Sequence, residues 1–284
     1  MRLVQIGSDT VPAIGQGTWQ MGVDPSQRSR EIDALRYGVE QGLALIDTAE
    51  MHAQGDCERV VGDAVRDIRD RVFIVTKAWP NHHGASDLPA ALQGSLGRLG
   101  VDRIDLYLLH WPSRDTALDE TLPALAKLLR DGLTRFIGVS NFPTPHLQQA
   151  EALLPAGALI AADQVEYHLV NRRAETTLIP YAAEKTGLAV MAYSPLKDVF
   201  ASPHRHSGLA VLRDIAKAHQ VLPQTAALAY LIGSGPVAAI PKAVQRTHID
   251  ANRAALDVEL TMDERSRIQR AFHSPQEELP YEAL

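Results

Sequence analysis

The chain has 284 residues, enough for one large α/β barrel of about 250 residues or for two modest domains. A formal charge of −6, with acids and bases interspersed, argues against a nucleic-acid or membrane-surface partner. The lone cysteine, Cys57, rules out an internal disulfide and a cysteine-based metal cluster, and it fits a reducing, cytoplasmic setting. The amino terminus lacks a signal-like apolar run and no stretch reaches membrane-spanning length, so neither feature is expected.

Short apolar, β-branched runs recur at even spacing: Ala13–Gly17, Leu43–Asp47, Val72–Lys77, Ile104–His110, Arg135–Ser140, Leu159–Val165, Leu188–Tyr193 and Val237–Pro241. Continuous apolar runs of this length suit strands buried on both faces, as in a parallel sheet. Helical periodicity fills the gaps at Ser29–Gln41, Asp56–Arg69, Asp87–Leu99, Thr121–Arg130, Pro145–Leu154, Thr176–Thr186, Gly208–His219, Pro223–Gly233 and His248–Leu256. Strands alternating with helices predict parallel βαβ units, and their number predicts a single (β/α)8 TIM barrel domain over 1–284. Leu3–Pro12 reads as an N-terminal β-hairpin turning at Gly7-Ser8-Asp9 and plugging the barrel floor. The polar stretch Ser202–His206 within Leu196–Ser207 predicts a mobile active-site loop. A doubly wound sheet is the alternative fold, but Gly15-Gln16-Gly17 lacks the third glycine of its phosphate loop.

In a barrel, the carboxyl ends of the strands converge on one pocket. Those ends here are Trp19, Asp47, Lys77, His110, Ser140-Asn141, Gln164, Tyr193 and Lys242. Singly, each is more readily structural than catalytic. Three ionisable groups, Asp47, Lys77 and His110, ending three successive strands are harder to read that way.

The runs Leu45-Ile46-Asp47-Thr48-Ala49-Glu50, Thr76-Lys77, Leu108-Leu109-His110-Trp111-Pro112, Gly138-Val139-Ser140-Asn141-Phe142, Asp163-Gln164, Ala192-Tyr193-Ser194-Pro195-Leu196 and Ile240-Pro241-Lys242 resemble the aldo-keto reductase signatures, in order. The resemblance spans about Pro12 to Leu260. It implies reversible reduction of a small-molecule aldehyde or ketone by NADPH, without metal, in a protein that is a monomer by default. His110 would then orient the carbonyl oxygen, on which negative charge grows. Lys77, paired with Asp47, would tune the proton donor.

In that family the donor is a tyrosine five residues after the aspartate. Here the position is His52. Three readings stay open: His52 replaces the tyrosine as acid, His110 becomes the main donor, or the site binds cofactor and turns over slowly. Lys77 should hold the His52 pKa below the free value of about 6.5.

The resemblance also assigns cofactor contacts. Tyr193 would stack on the nicotinamide, while Ser140, Asn141 and Gln164 would bind its carboxamide. Ser194 and Leu196 would open the loop over the pyrophosphate. Ile240, Lys242, Ala243, His248 and Asn252 would meet the adenosine end, with Asn252 on the adenine. Ala243 and His248 replace a serine and an arginine that grip the 2′-phosphate. NADPH preference should therefore be weakened, leaving NADH use open, with Arg246 as a partial substitute. Trp19, Trp79 and Trp111 follow strand ends and would line an aromatic substrate pocket. His82-His83 and His204/His206 read as loop histidines rather than metal ligands. Two other classes stay in view: a nicotinamide-binding sensor without fast chemistry, and a Schiff-base lyase using Lys77.

Overall fold

The computed structural model describes residues 1–200 and 208–274. Strands β1 (Leu3–Ile6) and β2 (Asp9–Pro12) pair as an antiparallel hairpin. Strands β3 (Gln16–Gly17), β4 (Leu45–Asp47), β5 (Phe73–Ala78), β6 (Ile104–Leu109), β7 (Thr134–Ser140), β8 (Ile160–Glu166), β9 (Ala189–Tyr193) and β10 (Val237–Ala239) form one parallel sheet in sequential order. A doubly wound sheet reverses its strand order partway, so that alternative is excluded. The sheet closes on itself. Ile14 bridges Ala239 in parallel, and the Gly15 and Gly17 N–H groups donate to Ala239 and Pro241 carbonyls at 2.8 and 3.2 Å. The architecture is the (β/α)8 barrel.

The surrounding helices are α1 (Arg28–Glu40), α2 (Asp56–Val65), α3 (Asp87–Leu99), α4 (Leu118–Arg130), α5 (Thr144–Leu153), α6 (Leu178–Ala183), α7 (Gly208–Ala218), α8 (Pro223–Ile232), α9 (Arg246–Ala254) and α10 (Met262–Ala271). Three depart from the sequence reading. Helix α2 stops at Val65 and leaves Arg69–Arg71 as a separate turn. Helix α6 is shorter than expected because Thr177, at φ −135°, separates it from the turn Arg173–Glu175. Helix α10 was not anticipated: only Ile268 is buried, so its apolar periodicity is faint. Its start is nevertheless written in a capping box, in which Thr261 and Glu264 bond each other's backbone. No helix among the described residues is long and apolar enough to cross a membrane.

Side chains alternate along a strand, and here the alternation sorts them between two cores. Leu45, Phe73, Val75, Leu106, Leu108, Ala189, Met191 and Ala238 fill the barrel interior. Their neighbours Ile46, Ile74, Tyr107, Leu109, Val190 and Val237 pack outward among the helices. Val4, Ile6 and Val11 of the hairpin join the interior cluster, so the hairpin plugs the barrel as expected. The Gly7 N–H donates to Gly187 C=O at 2.8 Å, fastening the plug. The run Ser202–His206, predicted as a mobile loop, lies outside the described residues.

The closing seam leaves no room for a side chain at Gly17, where a Cβ would lie 2.5 Å from the Ile240 carbonyl oxygen. Gly17→Ala should therefore cost about 1–3 kcal/mol, the usual range for overpacking. Gly97→Ala in α3 meets nothing within 4 Å and should be neutral or stabilising. Urea denaturation of both variants checks this; equal midpoints would show that the seam yields.

Candidate active site

The same alternation aims the polar residues. Counting by twos from the interior residues Leu45, Val75, Leu108, Ala162 and Met191 reaches Asp47, Lys77, His110, Gln164 and Tyr193 at the carboxyl ends. Lys77 is 1% exposed and Asp47 3%. The Lys77 ammonium donates to Asp47 Oδ1 at 2.8 Å and to the Thr48 carbonyl at 2.7 Å. The Gln164 amide donates to the same Asp47 oxygen at 2.7 Å, an anchoring contact that the resemblance did not suggest. An amine so enclosed and so bonded is poorly placed to attack a carbonyl, which disfavours the Schiff-base reading.

His52 is buried beside this pair. Its ring meets Trp19 edge-on at 4.9 Å and His110 at 5.7 Å between centroids. The Nδ1 atoms of His52 and His110 are both buried and, among the described residues, have no hydrogen-bond partner. Burial, helped by the Lys77 charge, pushes the His52 pKa down to about 2. His110 is held well below the usual histidine range by burial first, then by Lys77, His52 and His83. Both rings are therefore neutral at physiological pH. The sequence reading had the direction for His52 but named only the lysine, and burial is the larger cause.

The turn that carries His52 is unusual. Ala53, Gln54 and Gly55 follow it with φ of 48°, 54° and 89°. Left-handed geometry at a non-glycine costs about 1–2 kcal/mol per residue and gathers at functional sites. The turn is backed by a charged network. A Cβ on Gly55 would meet Arg98 Cδ at 2.5 Å. Arg98 Nε donates at 2.5 Å to the fully buried Glu58, which also accepts from Thr76 at 2.6 Å. Glu50 accepts from the Trp79 N–H at 2.6 Å and from His82 at 2.9 Å. Sequence reasoning missed Glu50, Glu58 and Arg98 as a unit; Thr76, directly before Lys77 and facing outward, was the available signal.

Among the residues that the resemblance assigns to the cofactor, Asn141 takes a left-handed φ of 62°. Its amide donates to the His110 carbonyl at 3.1 Å and to Ser140 Oγ at 3.0 Å. Its oxygen accepts from the Tyr193 hydroxyl at 3.0 Å, and Ser140 donates to the Gln164 carbonyl at 2.7 Å. Burial raises the Tyr193 phenol above its ordinary pKa, so the ring stays neutral. Past Tyr193, Ser194 is exposed at φ 49° and Leu196 is half-buried. Lys197 pairs with Glu166 at 2.8 Å, tying this segment to the end of β8. Ile240 and Asn252 are buried, Ala243 is half-buried, and Lys242 and His248 are exposed.

The three tryptophans differ. Trp19 and Trp79 are 48% and 40% exposed, whereas Trp111 is 9% exposed and offers little open surface. His82 and His83 also part company: His82 bonds Glu50, while His83 is buried and pushed down to about 4, mainly by desolvation. His204 and His206 lie outside the described residues.

The buried histidines make stability pH-dependent. An unfolded chain protonates each near pH 6.5, whereas folded His52 resists protonation down to about 2. The unfolded state binds more protons across that window, so stability falls as pH drops below about 6.5. Each such histidine contributes about 1.4 kcal/mol per pH unit. In His52→Leu, the loss of unfolding free energy between about pH 7 and about pH 5 should shrink accordingly. An unchanged loss by urea titration would mean that His52 titrates normally.

Residues 13–272 match the family model described as the aldo/keto reductase family. The chain is 42% identical over 278 residues to methylglyoxal reductase YeaE of Escherichia coli (strain K12), covering 96% of each protein. A crystal structure of an aldo/keto reductase from Klebsiella pneumoniae, in complex with NADP and acetate, superposes with a TM-score of 0.90 at 40% identity, covering 99% of each chain. Another from the same organism, in complex with NADPH, gives 0.90 at 40% identity with both chains fully covered. A barrel with these strand ends, matched over nearly its whole length, belongs to the aldo/keto reductase family.

Proposed function

We propose that this reductase converts small aldehydes and α-dicarbonyls, methylglyoxal among them, to alcohols with NADPH, using neutral histidines as donors to the carbonyl oxygen. The observation that carries the reading is the pair of buried imidazoles, His52 and His110, whose Nδ1 atoms have no hydrogen-bond partner among the described residues, beside the Lys77–Asp47 ion pair. The surrounding residues support a nicotinamide there: a half-buried Tyr193 ring is held by a hydrogen-bonded cluster of Ser140, Asn141 and Gln164, whose polar groups would exchange internal bonds for the carboxamide. The bound cofactor supplies the hydride to the carbonyl carbon.

The chain's own residues manage the oxygen. His110 donates a hydrogen bond and orients the carbonyl. A neutral imidazole suffices for this, because it polarises a carbonyl without carrying charge itself. Lys77 adds a fixed cation in a water-poor site, where it counts for more than in bulk solvent. His52 occupies the position that the resemblance gives to the proton donor. Being neutral, it can give only its ring N–H, and Lys77 stabilises the imidazolate until water returns the proton. Trp19, edge-on to His52, and Trp79 form the apolar rim that receives the substrate.

The alternative, a cofactor-binding barrel with disabled chemistry, is favoured by one observation: the His52 pKa is too low for an imidazolium donor. The two readings separate in one assay of NADPH consumption with methylglyoxal and 4-nitrobenzaldehyde, between about pH 5 and about pH 8. Wild type should turn over at a rate nearly independent of pH, because neither imidazole ionises in that range. A rate rising toward acid with a midpoint near pH 6.5 would mean that imidazolium is the donor after all. An inert wild type that binds NADPH would establish the disabled barrel.

Lys77→Met should lower kcat by about a hundredfold or more, the usual contribution of such electrostatic groups. His52→Tyr should raise it by about tenfold or more, since phenol is the stronger acid beside a lysine. A His52→Tyr variant no faster than wild type would show that proton delivery is not limiting.

A further inference from the structure

The family's usual grip on a 2′-phosphate is missing: Ala243 offers no hydroxyl, and His248 offers an imidazole in place of a bidentate guanidinium. Two guanidinium groups stand close by. Arg30, Asp33, Ala34 and Tyr37 lie three or four residues apart and so share one face of α1. That face looks onto the start of α9. A cavity of about 570 Å³ opens between them, lined by Arg30, Asp33 and Ala34 on one side and by Val244, Arg246 and Thr247 on the other.

Arg246 is held in place there. Its guanidinium lies 4.7 Å from the centroid of the Tyr37 ring, and the Tyr37 hydroxyl donates to Asp250 of α9 at 2.7 Å. The cation is thus positioned by stacking, which leaves its N–H fork unspent. Among the described residues, neither Arg30 nor Arg246 makes an ion pair, whereas many other arginines do, including Arg28, Arg36 and Arg98. A neighbouring cavity of about 420 Å³ shares Arg30 and Val244 and adds Lys242. Its two acids are engaged: Asp24 accepts from Ser26, and Glu31 from the Gly22 N–H at 2.9 Å. Asp33 is the one carboxylate lining the first cavity among the described residues.

We propose that Arg30 and Arg246 hold the 2′-phosphate of NADPH in the cavity between α1 and α9, and that they are the residues distinguishing NADPH from NADH. The inference rests on the reductase reading above. A phosphate monoester is a near-dianion that suits two guanidinium forks converging from two helices. Lys242, in the adjoining cavity, would add a third cation at the adenosine end. Arg246 takes over the role of the absent arginine from two positions earlier in the chain, with Tyr37 as its support.

The test is binding rather than turnover. Dissociation constants for NADPH, NADH and 2′,5′-ADP would be measured by tryptophan-fluorescence titration or calorimetry on wild type, Arg30→Ala, Arg246→Ala and Asp33→Asn. All three side chains are exposed, so the variants should fold, and circular dichroism verifies it. Each arginine variant should bind NADPH and 2′,5′-ADP about tenfold or more weakly and leave NADH within about twofold. Asp33→Asn should tighten NADPH and 2′,5′-ADP but not NADH, by removing a carboxylate that repels the phosphate. Arginine variants that keep wild-type NADPH affinity, or lose NADPH and NADH equally, overturn the inference while leaving the reductase reading intact. Selective loss of NADPH in His248→Ala with no effect of either arginine would place the phosphate elsewhere. A wild type that binds neither cofactor would overturn both.

Discussion

One ion pair organises the mouth of the barrel. The Lys77 ammonium and the Asp47 carboxylate are almost fully excluded from water, and together with Thr48 and Gln164 they join the ends of β4, β5 and β8. Removing two charges from water costs several kcal/mol each, which their mutual attraction offsets only with extra hydrogen bonds. The Thr48 carbonyl and the Gln164 amide supply those bonds. Such a pair adds little to folding, but it fixes an ammonium, with its carboxylate behind it, beside the two rings in a medium that screens poorly. His52 and His110 both lie within its field, and both are kept neutral by burial reinforced by that field.

The site is therefore built from opposed electrostatic choices. Glu50, Glu58 and Arg98 pack carboxylates and a guanidinium behind the His52 turn, on the helix side of the sheet. The interior side has the lysine, the aspartate and two uncharged rings. The outer network packs Arg98 directly against Gly55, the last of three consecutive left-handed residues, and leaves no room there for a side chain. The shape of the turn and the chemistry of the ring it carries thus have separate causes. A tyrosine or a histidine could occupy position 52 on the same support.

Much of this was legible in the chain. The even spacing of β-branched runs marked the strands, and reading their carboxyl ends gathered Asp47, Lys77, His110, Gln164 and Tyr193 at one pocket; the alternation along each strand is what aims them inward. That alternation is a local property, so sequence carries it well. Contacts among distant loops are not local. Nothing in Glu50, Glu58 or Arg98 announces that they meet, and the Gln164–Asp47 bond joins residues on opposite sides of the barrel mouth. The extent of burial at His52 was also invisible, because it depends on Trp19, His110 and the turn closing together. Helix α10 was missed for the opposite reason: it is nearly all polar, so its cap was written but its face was not.

The hairpin at the other end of the barrel has its own consequence. Val4, Ile6 and Val11 fill the floor, and apolar side chains occupy every layer between there and the ion pair. The floor is thus closed by apolar side chains, and the two histidines lie at the opposite, carboxyl end, where the proposed reaction places substrate and nicotinamide. Under the proposed reaction, protons and reactants would then share one end of the barrel. If His52 gives up its proton as proposed, a slow-leaving alcohol above it would hold up proton resupply as well as the next substrate.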